Sequence, residues 1–95
     1  MSAPLLSVVI PTHNPHAGRL RRTLAALKTQ TLPAGQWECL LIDNASTPAL
    51  QLADWAATGP AGLRLAAEPA TGLSHARRRG FLEARGELLV LVDDD

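Results

Sequence analysis

The residues best suited to chemistry stand at the end of this sequence, where Asp93, Asp94 and Asp95 follow the apolar run Leu88-Leu89-Val90-Leu91-Val92. In an extended segment alternate side chains share one side, so Asp93 and Asp95 point the same way. Two such carboxylates ~4 Å apart repel by about 1 kcal/mol in water and by more in a cleft. A hard divalent cation removes that repulsion, and magnesium or manganese commonly takes one or two carboxylates together with substrate phosphates. The plain alternative is a solvated acidic turn. Asp43 ends a second apolar run, where a carboxylate can accept hydrogen bonds from a nucleobase or ribose, or close an Asx turn on Ala45 or Ser46. Pro11, Thr12, His13 and Asn14 make a polar turn after a third run, and Asn44 extends the polar stretch that begins at Asp43. Arg77, Arg78 and Arg79 fall early in a helical segment, near its positive end, where an anion would compensate them. Successive helical residues sit about 100° apart, so one or two of the three can face a given edge, and Arg77 is the candidate.

These residues need elements to hold them. Short apolar runs at 6–10, 39–42, 63–67 and 88–92 predict strands, three of them ended by polar or proline-containing loops. Between them, Leu20, Leu24 and Leu27 mark an amphipathic helix over 18–30, closed by Pro33-Ala34-Gly35. A second helix is expected from a Thr47 cap with Pro48 at its first position, running to about residue 58. A third is expected over 71–85, with Ala76, Gly80 and Ala84 as a small-residue stripe for close packing on a sheet. Strands alternating with helices call for parallel pairing through crossovers, hence an α/β fold with an open, Rossmann-like, mainly parallel sheet in the order 3-2-1-4. In such a sheet the carboxyl ends of the strands share one edge, and the polar residues named above collect there. The chain reads as stopping at its fourth strand with no helix to cover it, and so as part of a larger domain.

Composition bounds the function. The 95 residues are 46% hydrophobic and 19% charged, which is enough apolar material for a packed core but only one domain or a piece of one. Nine Lys and Arg balance nine Asp and Glu, so no global field favours a nucleic acid. The single cysteine, Cys39, lies in mid-strand and reads as a buried apolar thiol. It closes no intramolecular disulfide, and no Cys/His spacing suits zinc; a reducing, cytoplasmic setting fits, including the cytoplasmic face of a membrane. No run is long enough to cross a bilayer, and neither a phosphate-binding P-loop nor a GxGxxG fingerprint is present. Two other readings stay open: a nucleotidyltransferase-like fold, and a noncatalytic nucleotide-binding α/β fragment.

Five segments, in order, resemble the N-terminal half of family 2 glycosyltransferases, inverting enzymes of the GT-A fold. Ser7-Val8-Val9-Ile10-Pro11-Thr12-His13-Asn14 is similar to that family's opening strand and turn, and Leu24 to Gln30-Thr31 to its first helix. Leu41-Ile42-Asp43-Asn44-Ala45-Ser46-Thr47 resembles the loop that meets the nucleotide base, and the stretch from Gly72 to Gly80 resembles its Gly-x-x-x-Ala-Arg-Asn-x-Gly segment. Glu83 to Glu87, the apolar strand and Asp93-Asp94-Asp95 resemble the approach to its metal-binding Asp-x-Asp motif. The chain departs from the family at His13, where Tyr is frequent, at Asn44, where a second Asp is common, and at Arg78, where Asn is usual. The resemblance implies that residues 1–95 are a partial GT-A domain holding the donor half. It places Pro11, Thr12, His13, Asn14, Asp43 and Asn44 around the nucleoside and Arg77 near base or diphosphate. Asp93 and Asp94 would lie at the sugar nucleotide, and Asp95, assisted by Asp93, would bind a manganese or magnesium ion. The implied partners are a nucleotide-sugar donor and a glycan, lipid or protein acceptor. No catalytic base is implied within the chain, because in this family it follows the Asp-x-Asp motif.

Overall fold

The computed structural model describes residues 4–94. Four strands, β1 (Leu6–Thr12), β2 (Trp37–Asn44), β3 (Arg64–Glu68) and β4 (Leu88–Leu91), form one sheet in the order β3-β2-β1-β4. Every pair is parallel, with Val8 opposite both Cys39 and Val90, and Leu41 opposite Leu65. The helices are α1 (Ala17–Lys28), α2 (Leu52–Trp55) and α3 (Leu73–Glu83). The expected strand order and the α/β class are therefore those observed.

Alternation along the strands divides the core into two layers. Val8, Ile10, Cys39 and Leu41 meet Leu20 and Leu24 of α1 and Trp55 of α2 on one face. Val9, Leu40 and Ile42 meet Ala76 of α3 on the other. Leu20 and Leu24 are fully buried, as their spacing on one helical face requires. The His16 ring accepts the Arg19 amide and caps α1, while the Arg21 guanidinium stacks 5.1 Å from the Trp55 ring and ties α2 to α1. Burial pushes the Cys39 thiol up to about 12, with Glu38 adding to the effect, so it stays a neutral apolar group. β4 lies at the sheet edge with Leu88, Val90 and Leu91 exposed.

The second helix departs from the sequence expectation. Thr47 does not cap it and Pro48 does not open it; the Thr47-Pro48 bond is cis and the helix is a single turn beginning at Leu52. Backbone amides around the expected helix start are taken by side chains of preceding residues. Asp43 accepts Ser46 N–H at 3.1 Å and Leu50 N–H at 2.9 Å, and Asn14 accepts Thr47 N–H at 2.8 Å. Those bonds hold the chain in a loop until Gln51. Smaller shifts affect β3, which ends at Glu68 rather than Ala67, and α3, which is trimmed at both ends.

A polar network fastens the amino-terminal edge of the sheet. The fully buried Ser7 hydroxyl donates to Glu38 at 2.6 Å and accepts Gly86 N–H at 2.8 Å. Glu38 also accepts Arg85 N–H at 2.6 Å and Arg64 at 2.7 Å, and Arg64 reaches the Glu83 carbonyl. Burial alone would raise the Glu38 pKa, but the bonds from Ser7, the Arg85 amide and Arg64 outweigh it and hold the carboxyl below its ordinary value of 4.5. The turn between α3 and β4 is thereby pinned to β1, β2 and β3.

Two outcomes follow from this packing. Gly80 faces Val9 so closely that an added Cβ would lie 2.5 Å from a Val9 methyl. Gly80→Ala should thus lose about 1–3 kcal/mol by overpacking, although Ala is intrinsically the better helix former by about 1 kcal/mol; equal or higher stability in urea unfolding would refute the contact. Because the Glu38 pKa is depressed on folding, its stabilisation is present above 4.5 and lost as pH falls through the lower folded value. Glu38→Gln should flatten the acid limb of a stability-against-pH curve, and an unchanged limb would show the network to be inert.

Candidate functional site

Parallel pairing sends the exits of all four strands to one edge, and the order β3-β2-β1-β4 makes β1 the point where successive crossovers diverge. A cavity of about 350 Å³ opens there between the β1 exit and the start of α3, lined by Pro11, Thr12, His13, Asn44, Thr71, Gly72, Leu73, Ala76 and Asp94. An adjoining cavity of about 210 Å³ shares Pro11, Leu73 and Asp94 and adds Arg77 and Asp93. The two make one cleft along the edge.

Each side chain in it is held by a definable contact. Thr12, almost wholly buried, donates its hydroxyl to Asp94 Oδ2 at 2.6 Å, so the β1 exit fixes the acidic turn after β4. His13 Nδ1 lies 2.6 Å from the Asn44 carbonyl, which can only accept. Nδ1 therefore carries the proton, and Nε2 accepts from the Asn14 amide at 3.2 Å. Asn14 sits at φ 44°, a left-handed conformation that asparagine tolerates better than most residues. Its backbone N–H donates to Ser46 Oγ at 2.9 Å while its side chain accepts Thr47 N–H, which clips the β1 loop to the β2 loop. Asp43 is buried behind this clip, both carboxylate oxygens engaged by backbone amides of its own loop, and it lines neither cavity.

Asn44 is also buried, and its amide reaches across to the exit of β3. Nδ2 donates to the Glu68 carbonyl at 3.0 Å and the Ala70 carbonyl at 2.7 Å, and Oδ1 accepts Gly72 N–H at 2.9 Å. Gly72 caps α3 at φ 136° and ψ 143°, which only glycine adopts without strain, and it forms part of the cavity wall. Glu68 completes this corner by accepting Ala70 N–H at 2.9 Å and pairing with Arg79 at 3.2 Å. The Ala70 amide lowers the Glu68 pKa, burial opposes it, and Arg79 lowers it further. Arg79 also reaches Glu83, so of the three arginines it is the structural one, while Arg77 stands on the cleft.

The structure thus gathers Pro11, Thr12, His13, Asn44 and Asp94 in one cavity and Arg77 with Asp93 in its extension. Asp43 and Asn14 stand behind, holding loops. Asp95 lies outside the described residues. Sequence reasoning omits Glu68, Thr71, Gly72 and Leu73, although the rule that selects the other strand exits applies equally to β3; a weak apolar run at 63–67 hides it. Among the described residues no three His, Cys, Asp or Glu side chains gather at metal-binding distance, and no helix is long and apolar enough to cross a membrane.

Comparison with known proteins agrees with the fold. The model of the family Glycosyl transferase family 2 matches residues 7–95. The glycosyltransferase AglE of Haloferax volcanii is 31% identical over 94 residues, covering 97% of this chain and 31% of AglE. A crystal structure of S. aureus TarS 1-349 superposes with a TM-score of 0.76 at 25% identity, covering 96% of this chain and 27% of that one. The same protein in complex with UDP-GlcNAc gives a TM-score of 0.78 at 22% identity, covering 96% and 26%, a likeness of fold.

The clip between the first two loops is open to test. Asn14→Gly keeps the left-handed backbone accessible but removes the acceptor for Thr47 N–H, so it should cost about 1 kcal/mol and speed hydrogen exchange at Thr47. An unaltered Thr47 amide in that variant would show that the bond does not hold the loops.

Proposed function

The chain belongs to glycosyl transferase family 2, and on that premise we propose that it forms the donor-binding part of an inverting, metal-assisted glycosyltransferase. The donor is a nucleoside diphosphate sugar. The observation that carries this reading is the cleft at the divergence of the crossovers, where β1, β2, α3 and the acidic turn after β4 converge. The complex of TarS with UDP-GlcNAc, on the same fold, supports the class of ligand.

In this reading the nucleoside occupies the larger cavity beside Pro11, Thr12 and His13, and the diphosphate lies toward Arg77 and the first turn of α3. Free N–H groups at a helix start and a nearby guanidinium both favour an anion. The acceptor hydroxyl gives its proton to a carboxylate base as its oxygen attacks the anomeric carbon opposite the nucleoside diphosphate, which leaves with the electrons of the broken carbon–oxygen bond, so the configuration inverts.

The donor set fits a divalent cation. Asp93 and Asp94 present hard oxygen ligands, and among the described residues neither has an Arg or Lys within salt-bridge distance. Asp94 is already oriented through one oxygen by Thr12, which leaves Asp93, with Asp95 beyond it, to hold manganese or magnesium. When bound, the ion would neutralise charge on the departing diphosphate. Arg77 adds a fixed positive charge on the same side of the cleft.

Titration with UDP and GDP, with manganese and with chelator, tests the reading. Asp95→Asn should weaken metal-dependent binding by about tenfold or more while leaving far-UV circular dichroism unchanged, and Arg77→Gln should weaken nucleotide binding whether manganese or chelator is present. Nucleotide binding that ignores both manganese and Asp95→Asn would remove the metal from the account. Absence of nucleotide binding would remove the donor site itself.

A further inference from the structure

α3 meets the sheet through Ala76 and Gly80, and beside them Arg79 pairs with Glu68 of β3 and with Glu83. At about 100° per residue the opposite side of the helix carries Ser74, Arg78, Phe81 and Leu82, all of them exposed. Phe81 shows 56% of its surface and Leu82 60%, although large apolar side chains are those an amphipathic helix turns inward. Arg78 lies three and four residues before them and so neighbours both. Arg85 is exposed just past the helix end, where Glu38 holds its backbone N–H.

This face is cationic as well as apolar. Among the described residues neither Arg78 nor Arg85 has a carboxylate within salt-bridge distance. Glu83, the one acidic residue of α3, is engaged by Arg79, and Glu87 belongs to the turn into β4.

We propose that the outward face of α3 docks on an anionic phospholipid surface. Phe81 and Leu82 enter the boundary between headgroups and acyl chains, and the Arg78 and Arg85 guanidinium groups meet lipid phosphates, for which their planar forks are suited. The helix lies in the plane of the surface, since its 11 residues are too few to span a bilayer.

Charge and shape together choose this partner. Cations beside protruding apolar side chains match a surface that is anionic at the top and apolar just beneath. A nucleic acid offers phosphates without that apolar layer. Phe81 and Leu82 stand on a convex helix and line neither cavity of the cleft, so a fluid surface that needs no matching relief suits them. α1, on the other side of the sheet, gives the contrast: Arg19 and Arg22 are exposed there, but Ala25 and Ala26 are their neighbours in place of large apolar side chains. Arg77, one turn before Phe81, lines the cleft, so a surface docked along α3 borders the cleft mouth.

Co-sedimentation of the chain with vesicles tests the proposal, using phosphatidylcholine alone and phosphatidylcholine mixed equally with phosphatidylglycerol. Wild type should bind the mixed vesicles, and rising ionic strength should release it. Phe81→Ser combined with Leu82→Ser should weaken that binding by about tenfold or more, and Arg78→Gln by about fivefold. Arg78→Gln carries the test if the serine pair does not fold. Arg19→Gln combined with Arg22→Gln removes two exposed cations from the other side of the molecule and should stay within about twofold of wild type.

Failure to bind the mixed vesicles, or equal binding to phosphatidylcholine alone, overturns the proposal. An equal loss in the α1 variant would reduce the binding to diffuse charge attraction and overturn the docking face as well. A wild-type chain that ignores both vesicles yet elutes as a dimer, and as a monomer once the serine pair is introduced, would assign the face to a second copy of the chain instead.

Discussion

Parallel pairing on both sides of β1 is the constraint from which the rest of this structure follows. It makes β1 and β2 interior strands, buried on both faces and hydrogen-bonded along both edges, and it directs every strand toward the same side of the sheet. Loops of quite different sequence are thereby brought together. With β2 and β3 to one side of β1 and β4 to the other, the edge has a gap above β1, and the cleft occupies that gap.

The two ends of the sheet solve the same problem with different consequences. Backbone groups that leave a strand need new partners, and side chains supply them. At the amino-terminal end Ser7 and Glu38 accept the amides of Gly86 and Arg85, which closes the molecule below the sheet. At the carboxyl end Asp43, Asn14, Asn44 and Glu68 accept loop amides, yet they leave the cleft side lined by His13, Gly72, Leu73 and Asp94. Residues that look like ligand groups therefore differ in how they are engaged. Asp43 has both carboxylate oxygens bonded to loop amides, whereas Asn44 bonds a loop amide and also lines the cleft.

Close packing joins the layers to the site. Ala76 and Gly80 let α3 settle onto Val9, so the first turn of that helix is carried up to the cleft wall at Gly72 and Leu73. A longer side chain at Gly80 would lift the helix from the sheet and shift that wall. Family membership places this arrangement among glycosyl transferases, and the chain spans 31% of the length of AglE, the curated relative it matches.

The sequence by itself determined the sheet and the edge. Four apolar runs separated by helical segments leave few topologies, and Leu20 with Leu24, or Ala76 with Gly80, announce their buried faces by spacing alone, because periodicity is a local property. Pro11, Thr12, His13 and Asp94 were legible as cleft residues because a strand's exit can be read from where its apolar run stops. What only the tertiary structure decided were the bonds between loops far apart in the chain. Asn14 takes the amide of Thr47, Asn44 spans Glu68 to Gly72, and Thr12 meets Asp94, 82 residues on. Those contacts cut the second helix to one turn and tied Asn44 to the turn between β3 and α3, with Glu68 bonded beside it. A side chain's choice between ligand and loop amide depends on which loop arrives beside it, and that is fixed only when the strands have paired.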